Sequence, residues 1–268
     1  MKQRLITAAV GVCIVVPIFI FSDTFAWEIF ITLCSVIGTF ELVRALRLMA
    51  RPELSLPSLL YALIVPLFSG SNYQVIFDLK VLYLCIMLFS GIVVNRCDSP
   101  EKVCLAAAFT VYVVASFASL LLLRRMDIGA YLFMLVFVGA WMTDSFAYFV
   151  GRFCGRHKLC PKISPKKTVE GAIGGWVGCI VCFLIYGFII ETFTDKSADY
   201  LLLILTGAVI GVVSQMGDLV ASALKRRVKI KDFSNLLPGH GGVLDRFDSV
   251  MSVSVFLLFF ASRVALFV

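Results

Sequence analysis

Val103–Leu123 reads VCLAAAFTVYVVASFASLLLL, 21 residues without a charge, closed by Arg124 and Arg125. At 1.5 Å per residue, a helix of that length is about 30 Å long, the thickness of a bilayer's hydrocarbon core. The stretch predicts a membrane-spanning helix, and it has company. Apolar runs of spanning or near-spanning length recur at 5–21, 25–46, 54–69, 79–95, 129–150, 171–190, 200–217 and 250–268. The run at 54–69 is short and holds Pro57 and Pro66. Proline is tolerated in a membrane helix when a neighbour satisfies the freed carbonyl. Lys2 and Arg4 before Leu5–Phe21 have the outline of a signal peptide. A second apolar run follows at once, so 5–21 reads as a span that is kept.

Composition agrees. The 268 residues are 60% hydrophobic and 15% charged, with mean hydropathy +0.98. Soluble domains carry about 25% charged residues, so a soluble enzyme is excluded. So is intrinsic disorder, whose signature is low hydrophobicity. The predicted fold is an all-α integral membrane protein, a polytopic bundle of about nine helices forming one transmembrane domain over 1–268. Within it, 1–123 supplies membrane packing and lipid access, and 124–268 is the catalytic half.

Lys/Arg counting sets the orientation. With nine spans, 19 of the 24 basic residues fall on one side and 5 on the other. That side is the cytosol, and it receives the long polar loops 152–170 and 217–249, which follow the sixth and eighth spans. The compact length predicts a bacterial plasma (inner) membrane location. A net charge of +7 suits loops that face anionic lipid and an anionic substrate. No basic stripe with interleaved aromatics points to nucleic acid. The nine cysteines lie mostly in apolar runs, which argues against a disulfide framework. Cys154, His157 and Cys160 have zinc-like chemistry but no fourth partner nearby. Gly171, Gly174, Gly175 and Gly178, and likewise Gly207 and Gly211, predict close helix packing.

The chemistry lies in the polar loops. Residues 217–249 read GDLVASALKRRVKIKDFSNLLPGHGGVLDRFDS. If the preceding helix continues, Asp218, Ser222, Lys225 and Lys229 share a face. An acid followed by cations suits a metal-bound polyphosphate; a solvated basic face near anionic lipid is the alternative. Pro238–Gly242 is a glycine-rich turn whose backbone can approach an anion closely. Asp245 and Asp248 follow at i, i+3. With Asp218 they form an oxygen set suited to Mg²⁺, although acids at a helix start are also common. Asp144 lies about 12 Å below the loop at Arg152, and an acid at that depth is a functional candidate or a paired structural group. Tyr148, one turn on, shares its side. Ser164-Pro165-Lys166-Lys167-Thr168-Val169-Glu170 places lysines and hydroxyls at a helix start, as an anion cradle or a topological anchor.

These residues resemble a known family. Ser222, Leu224, Lys225, Arg226, Lys231, Asp232, Ser234, Leu237, Pro238, His240, Gly241, Gly242, Val243, Asp245, Arg246, Phe247 and Asp248 match the signature of the CDP-diacylglycerol synthases (phosphatidate cytidylyltransferases). Asp144–Gly151 and 164–171 are also similar to that family, and the likeness is strongest over roughly 140–250. It implies a membrane enzyme that condenses CTP with phosphatidate to CDP-diacylglycerol and pyrophosphate, requires a divalent metal, works as a homodimer, and opens its site to cytosol and membrane.

Phosphatidate already carries a nucleophilic oxygen, since the second pKa of a phosphate monoester is about 6. His240 is therefore assigned to phosphate contact or loop order, not to general base. The harder task is bringing two polyanions together. Asp218, Asp245 and Asp248, with Asp144 nearby, are assigned to Mg²⁺, a second cation being left open. Lys225, Arg226, Lys231 and Arg246 are assigned to phosphates, with Ser164, Lys166, Lys167, Thr168, Ser222, Gly241 and Gly242. Asp232 either holds metal or orients a lysine. The rivals are a CTP-dependent polyprenol- or phytol-type lipid kinase and, outside enzymes, a transporter or channel.

Overall fold

Long runs of apolar residues without a breaker form helices, and the polar punctuation ends them. A computed structural model describes Cys13 and residues 16–70, 73–93, 100–239 and 241–267. After a helical stretch at 16–20 come α1 (Phe25–Ala45), α2 (Pro52–Leu67), α3 (Tyr73–Val93) and α4 (Pro100–Arg124). Next are α5 (Gly129–Phe137), a π-helical turn (Val138–Met142) and α6 (Thr143–Phe153), which make one uninterrupted helical rod. Strands β1 (Lys158–Cys160) and β2 (Ser164–Thr168) lead to α7 (Val169–Phe193), α8 (Tyr200–Arg227) and α9 (Val243–Ala261). Most of the run predicted at 5–21 lies outside the described residues.

Six helices among the described residues are long and apolar enough to cross a membrane: Phe25–Ala45, Gln74–Gly91, Pro100–Arg124, Gly129–Phe153, Val169–Phe193 and Tyr200–Arg227. Their outer faces leave Leu33, Leu82, Phe89, Phe188, Leu201 and Leu205 exposed, surface that a water-soluble protein would bury. The chain is an integral membrane protein.

Two predicted spans have different bounds. The run at 54–69 forms α2, 16 residues, or roughly 24 Å at 1.5 Å per residue, which is short of the hydrocarbon thickness. The run at 250–268 is replaced by α9, which starts at Val243 and stops at Ala261. Asp245, Arg246 and Asp248 lie in its first turns, so hydropathy alone places the start too late. The polar segments also carry structure. Helix α8 runs to Arg227, well past the predicted end at 217. The predicted loop 152–170 contains a two-stranded antiparallel hairpin that pairs Lys158 with Thr168 and Cys160 with Ser164, a small addition to the all-α reading.

The chain packs as two units, Met1–Leu122 with Arg227–Phe247 and Leu123–Arg226 with Asp248–Val268. In the first, α1 packs on α2 and α2 on α3, around Trp27, Ile31, Leu42, Leu54 and Met87. Pro66 lacks the N–H that would bond the carbonyl of Ala62. The Ser35 hydroxyl of α1 donates to that carbonyl instead, at 3.0 Å, so a neighbouring helix repairs the proline's defect.

In the second unit α6 and α7 pack tightly. The glycine stripe on α7 is the reason. A Cβ at Gly171 would sit 2.6 Å from the Ala147 carbonyl, and one at Gly175 2.7 Å from that of Thr143; at Gly178 it would overlap the Phe146 ring. Gly207 and Gly211 set α8 against the α7 backbone less tightly, where an added Cβ would sit 3.2 Å from the Cα of Ile180 and of Trp176. Overpacking such a contact costs about 1–3 kcal/mol. Gly178→Val should therefore lower the unfolding temperature in detergent by several degrees, while Ile189→Val, on an exposed position of the same helix, should leave it unchanged. Equal unfolding temperatures for the two variants would contradict this packing.

Candidate active site

Within the second unit, four segments distant in sequence converge on one charged cluster. Asp144 opens α6 directly after the π turn, and such turns are frequent at functional sites. The Thr143 hydroxyl donates to the Gly139 carbonyl at 2.6 Å. Asp144 Oδ2 accepts from the Ser249 hydroxyl at 3.0 Å, and Ser249 N–H donates to Asp248 Oδ1 at 2.9 Å. Gly217 lets α8 approach α9 at Asp248 and Ser252, where any side chain would collide with the Ser252 hydroxyl. The next residue, Asp218, is thereby brought beside Asp248. Its Oδ1 accepts from Ser222 at 3.2 Å, and its Oδ2 lies 2.7 Å from Lys167 Nζ. Lys225 is buried and acts electrostatically on Asp248, as do Asp144 and Asp218. Three carboxylates, two ammonium groups and two hydroxyls thus share one neighbourhood.

Lys167 reaches this cluster because the hairpin holds it there. Glu170 accepts from the backbone N–H groups of Arg156 (3.1 Å) and His157 (3.2 Å), and from His157 Nδ1 at 2.6 Å. Arg226 Nε donates to the Ile163 carbonyl at 3.3 Å, which ties the hairpin turn to α8. Thr168 is buried, and its hydroxyl oxygen caps α7 by accepting from Gly171 N–H at 3.1 Å. Of the predicted anion cradle, then, Lys167 meets the cluster and Thr168 caps the helix. Ser164 pairs with Cys160 in the strand register, and Lys166 faces outward. His157 serves Glu170, and no zinc-type group forms with Cys154 and Cys160 among the described residues. Tyr148 points outward and accepts from Arg152 at 2.8 Å. Lys229 does not continue the α8 stripe, because the helix ends at Arg227.

The signature loop after Arg227 belongs to the first unit, and its anchor is a residue that sequence reasoning missed. Glu41 of α1 is 2% exposed. It accepts from the Ser234 hydroxyl at 2.6 Å, Val243 N–H at 3.0 Å and Leu244 N–H at 2.9 Å. The last two are orphan donors at the start of α9, so Glu41 caps that helix from another part of the chain. A Cβ at Gly242 would meet the Glu41 carboxylate, so a side chain there would have to push that anchor off its donors. Asp245 Oδ2 accepts from Phe233 N–H at 2.7 Å and Gly242 N–H at 3.0 Å. Leu237 and Gly241 exchange both backbone bonds, at 2.9 and 3.1 Å, and Gly241 has φ +85°. The amides of Gly241 and Gly242, read from the sequence as an anion cradle, are therefore used inside the loop. Lys231, Asp232 and Arg246 are exposed; His240 lies outside the described residues. The signal that would have found Glu41 is the rule applied to Asp144, an acid near the end of an apolar run.

No three His, Cys, Asp or Glu side chains among the described residues form a ready-made metal cage. The donor chemistry of the second unit's cluster nevertheless suits Mg²⁺. It offers hard carboxylate and hydroxyl oxygens, and Mg²⁺ takes one or two protein carboxylates alongside water and substrate phosphates. The Lys167 ammonium already places a positive charge against Asp218.

Fold and site together define a helical integral membrane protein with acids and lysines gathered in one cluster. The chain belongs to the cytidylyltransferase family, whose sequence pattern matches residues 2–264. It is 34% identical over 268 residues to the phosphatidate cytidylyltransferase of Bacillus subtilis, covering 97% of each chain. The protein of that name from Staphylococcus haemolyticus is 34% identical over 260 residues, covering 94% of this chain and 96% of its own. The one from Staphylococcus aureus strain COL is 32% identical over 259 residues, with the same shares covered.

Glu41→Ala removes a charged acceptor from three donors, at about 1.5–3 kcal/mol for each charge-assisted bond before relaxation. Amide exchange at Val243 and Leu244 should accelerate at least tenfold. Exchange unchanged from wild type would show that the loop does not hang on Glu41.

Proposed function

We propose that this chain transfers CMP from CTP to phosphatidate, giving CDP-diacylglycerol and pyrophosphate. The observation that carries the reading is the 2.7 Å meeting of Lys167 with Asp218. It joins the hairpin to the helix that leads into the signature, beside Asp144, Asp248 and Lys225. The names of the relatives point the same way.

The chemistry is an in-line displacement. An oxygen of the phosphatidate phosphate forms a bond to the α-phosphorus of CTP. The α–β anhydride bond breaks, and pyrophosphate leaves with the electron pair. At pH 7 the attacking group is largely ionised, with a second pKa about 6, so no side chain has to remove a proton. The work left to the protein is electrostatic. Lys167, Lys225 and Arg226 bind phosphate oxygens. Ser222 and Ser249 orient Asp218 and Asp144. Asp144, Asp218 and Asp248 would hold Mg²⁺, which when bound supplies charge neutralisation between the two polyanions and on the leaving pyrophosphate. Asp245 acts by shaping the loop through its bonds to Phe233 and Gly242.

The membrane arrangement belongs to the same proposal: about nine spans, both polar segments on the cytosolic side of the plasma membrane, and a homodimer. The 19-to-5 division of basic residues supports the orientation.

The test is a reaction of purified protein with phosphatidate, Mg²⁺ and CTP labelled at the α or the γ phosphorus. The α label should enter the lipid fraction. Lipid carrying the γ label would make the protein a lipid kinase, and no label in lipid from folded protein would return the transporter reading. In the same assay Lys167→Ala should lower kcat/KM by about 10- to 100-fold, the worth of one charge-assisted bond. An unchanged value would reduce the hairpin to a topological anchor.

A further inference from the structure

The meeting of Asp144 with Ser249 depends on a break in helix register just before it. The rod from Gly129 to Phe153 is α-helical except at Val138–Met142. A π turn pairs residue i with i+5, so it holds one residue more than an α turn. Every residue beyond it is rotated by about 100° from its place in an unbroken α-helix. In the unbroken register the Asp144 carboxylate would point away from Ser249, and the 3.0 Å bond between them would be lost.

The π turn is gripped from two sides. A Cβ at Gly139 would sit 2.7 Å from Cγ2 of Ile210 on α8 and 3.3 Å from the Phe183 ring on α7, and both of those side chains are fully buried. Thr143, also buried, donates its hydroxyl to the Gly139 carbonyl at 2.6 Å. Cys179 Sγ of α7 lies 4.0 Å from the same oxygen. A threonine that bonds back to the carbonyl four residues earlier is ordinary in an apolar helix. Thr32 does so to Glu28 and Thr192 to Phe188, each at 2.7 Å and each inside regular α-helix. The bond of Thr143 differs in its place. It runs from the first residue of α6 back into the π turn, and the next residue in the chain is Asp144.

We infer that Thr143 is a positioning residue for the reaction: its hydroxyl staples the π turn and so aims the Asp144 carboxylate at Ser249 and the acids beside it. Thr143 itself touches neither substrate nor metal. It acts through the rotation of α6, and this role rests on the proposed part of Asp144 in holding Mg²⁺. The hydroxyl is the working group. Valine keeps the branched shape against Gly139 and Cys179 but cannot donate, whereas serine keeps the donor.

The test has two arms, both on the full chain in detergent. The first is a stability cycle without CTP or divalent metal. Ser249→Ala should lower the unfolding temperature of the wild type by about 5 °C, the loss of one hydrogen bond to a charged group. In the Thr143→Val background, where the carboxylate is turned away, the same change should cost less than about 1 °C. Additive shifts would mean that Thr143 supports the helix without aiming Asp144, and the inference would fall. Thr143→Ala replaces the valine variant if that one does not fold. The second arm is the labelled-CTP reaction at varied Mg²⁺. Thr143→Val should raise the Mg²⁺ concentration for half-maximal rate about tenfold, as the loss of a group that orients a metal ligand does, with KM for phosphatidate unchanged. Thr143→Ser should return the requirement to within about twofold of wild type. Thr192→Val, which removes the same kind of bond from α7, should match wild type. An unmoved Mg²⁺ requirement in Thr143→Val, or serine failing as valine does, overturns the role. Wild-type protein that transfers no label would sink the proposed function, and the stability cycle would still decide whether Thr143 aims Asp144.

Discussion

The contact between Lys167 and Asp218 is the constraint on which the second unit turns. Neither group is fully desolvated; the side chains are 22% and 26% exposed. Removing charge from water is costly, and a half-buried acid needs a cation or hydrogen-bond donors close by. Asp218 has Lys167 and Ser222, Asp144 has Ser249, and Asp248 has Lys225 and a backbone amide. Each acid is held by a different segment of chain. The cluster therefore exists only when the hairpin, α6, α8 and α9 are all in place. The glycines on α7 and α8 serve that end by letting backbones approach until short side chains meet.

Glu41 solves a similar problem in the first unit. A glycine-rich loop that ends in a helix start leaves backbone donors unpaired, and a buried carboxylate collects them. The loop's own acid, Asp245, takes two more. The signature is thus as much a folding device as a set of reactive groups. Its glycines permit a tight closure and a close approach to Glu41, and its polar side chains remain outside at Lys231, Asp232 and Arg246.

Much of this was legible in the sequence, for physical reasons. Apolar runs and charge asymmetry report on the bilayer, whose demands are strong and local, so 103–123, 171–190 and 200–217 each lie inside an observed helix. Of the acids singled out, Asp144, Asp218 and Asp248 do converge in the second unit, whereas Asp245 is bonded to Phe233 and Gly242 inside the loop of the first. What escaped depended on partners far along the chain. The role of Glu41 carries no local signal, because the amides it caps belong to Val243 and Leu244. Thr168 looked like a phosphate ligand because its capping of α7 is visible only in three dimensions. The helix ends at Arg227 and Val243 escape a hydropathy reading because charged first and last turns look like loops to it. The short α2 needed Ser35, on another helix, to explain how it tolerates Pro66.

If Lys167 and Asp218 act as one unit on the nucleotide, their contributions cannot be independent. The most direct measurement is a double-mutant cycle on kcat/KM for CTP using Lys167→Ala, Asp218→Ala and the combined variant. Strong coupling is expected, with the double variant no more than about threefold worse than the weaker single variant. Losses that simply multiply would mean that the two segments do not meet at the reacting phosphates, and the central claim would fail.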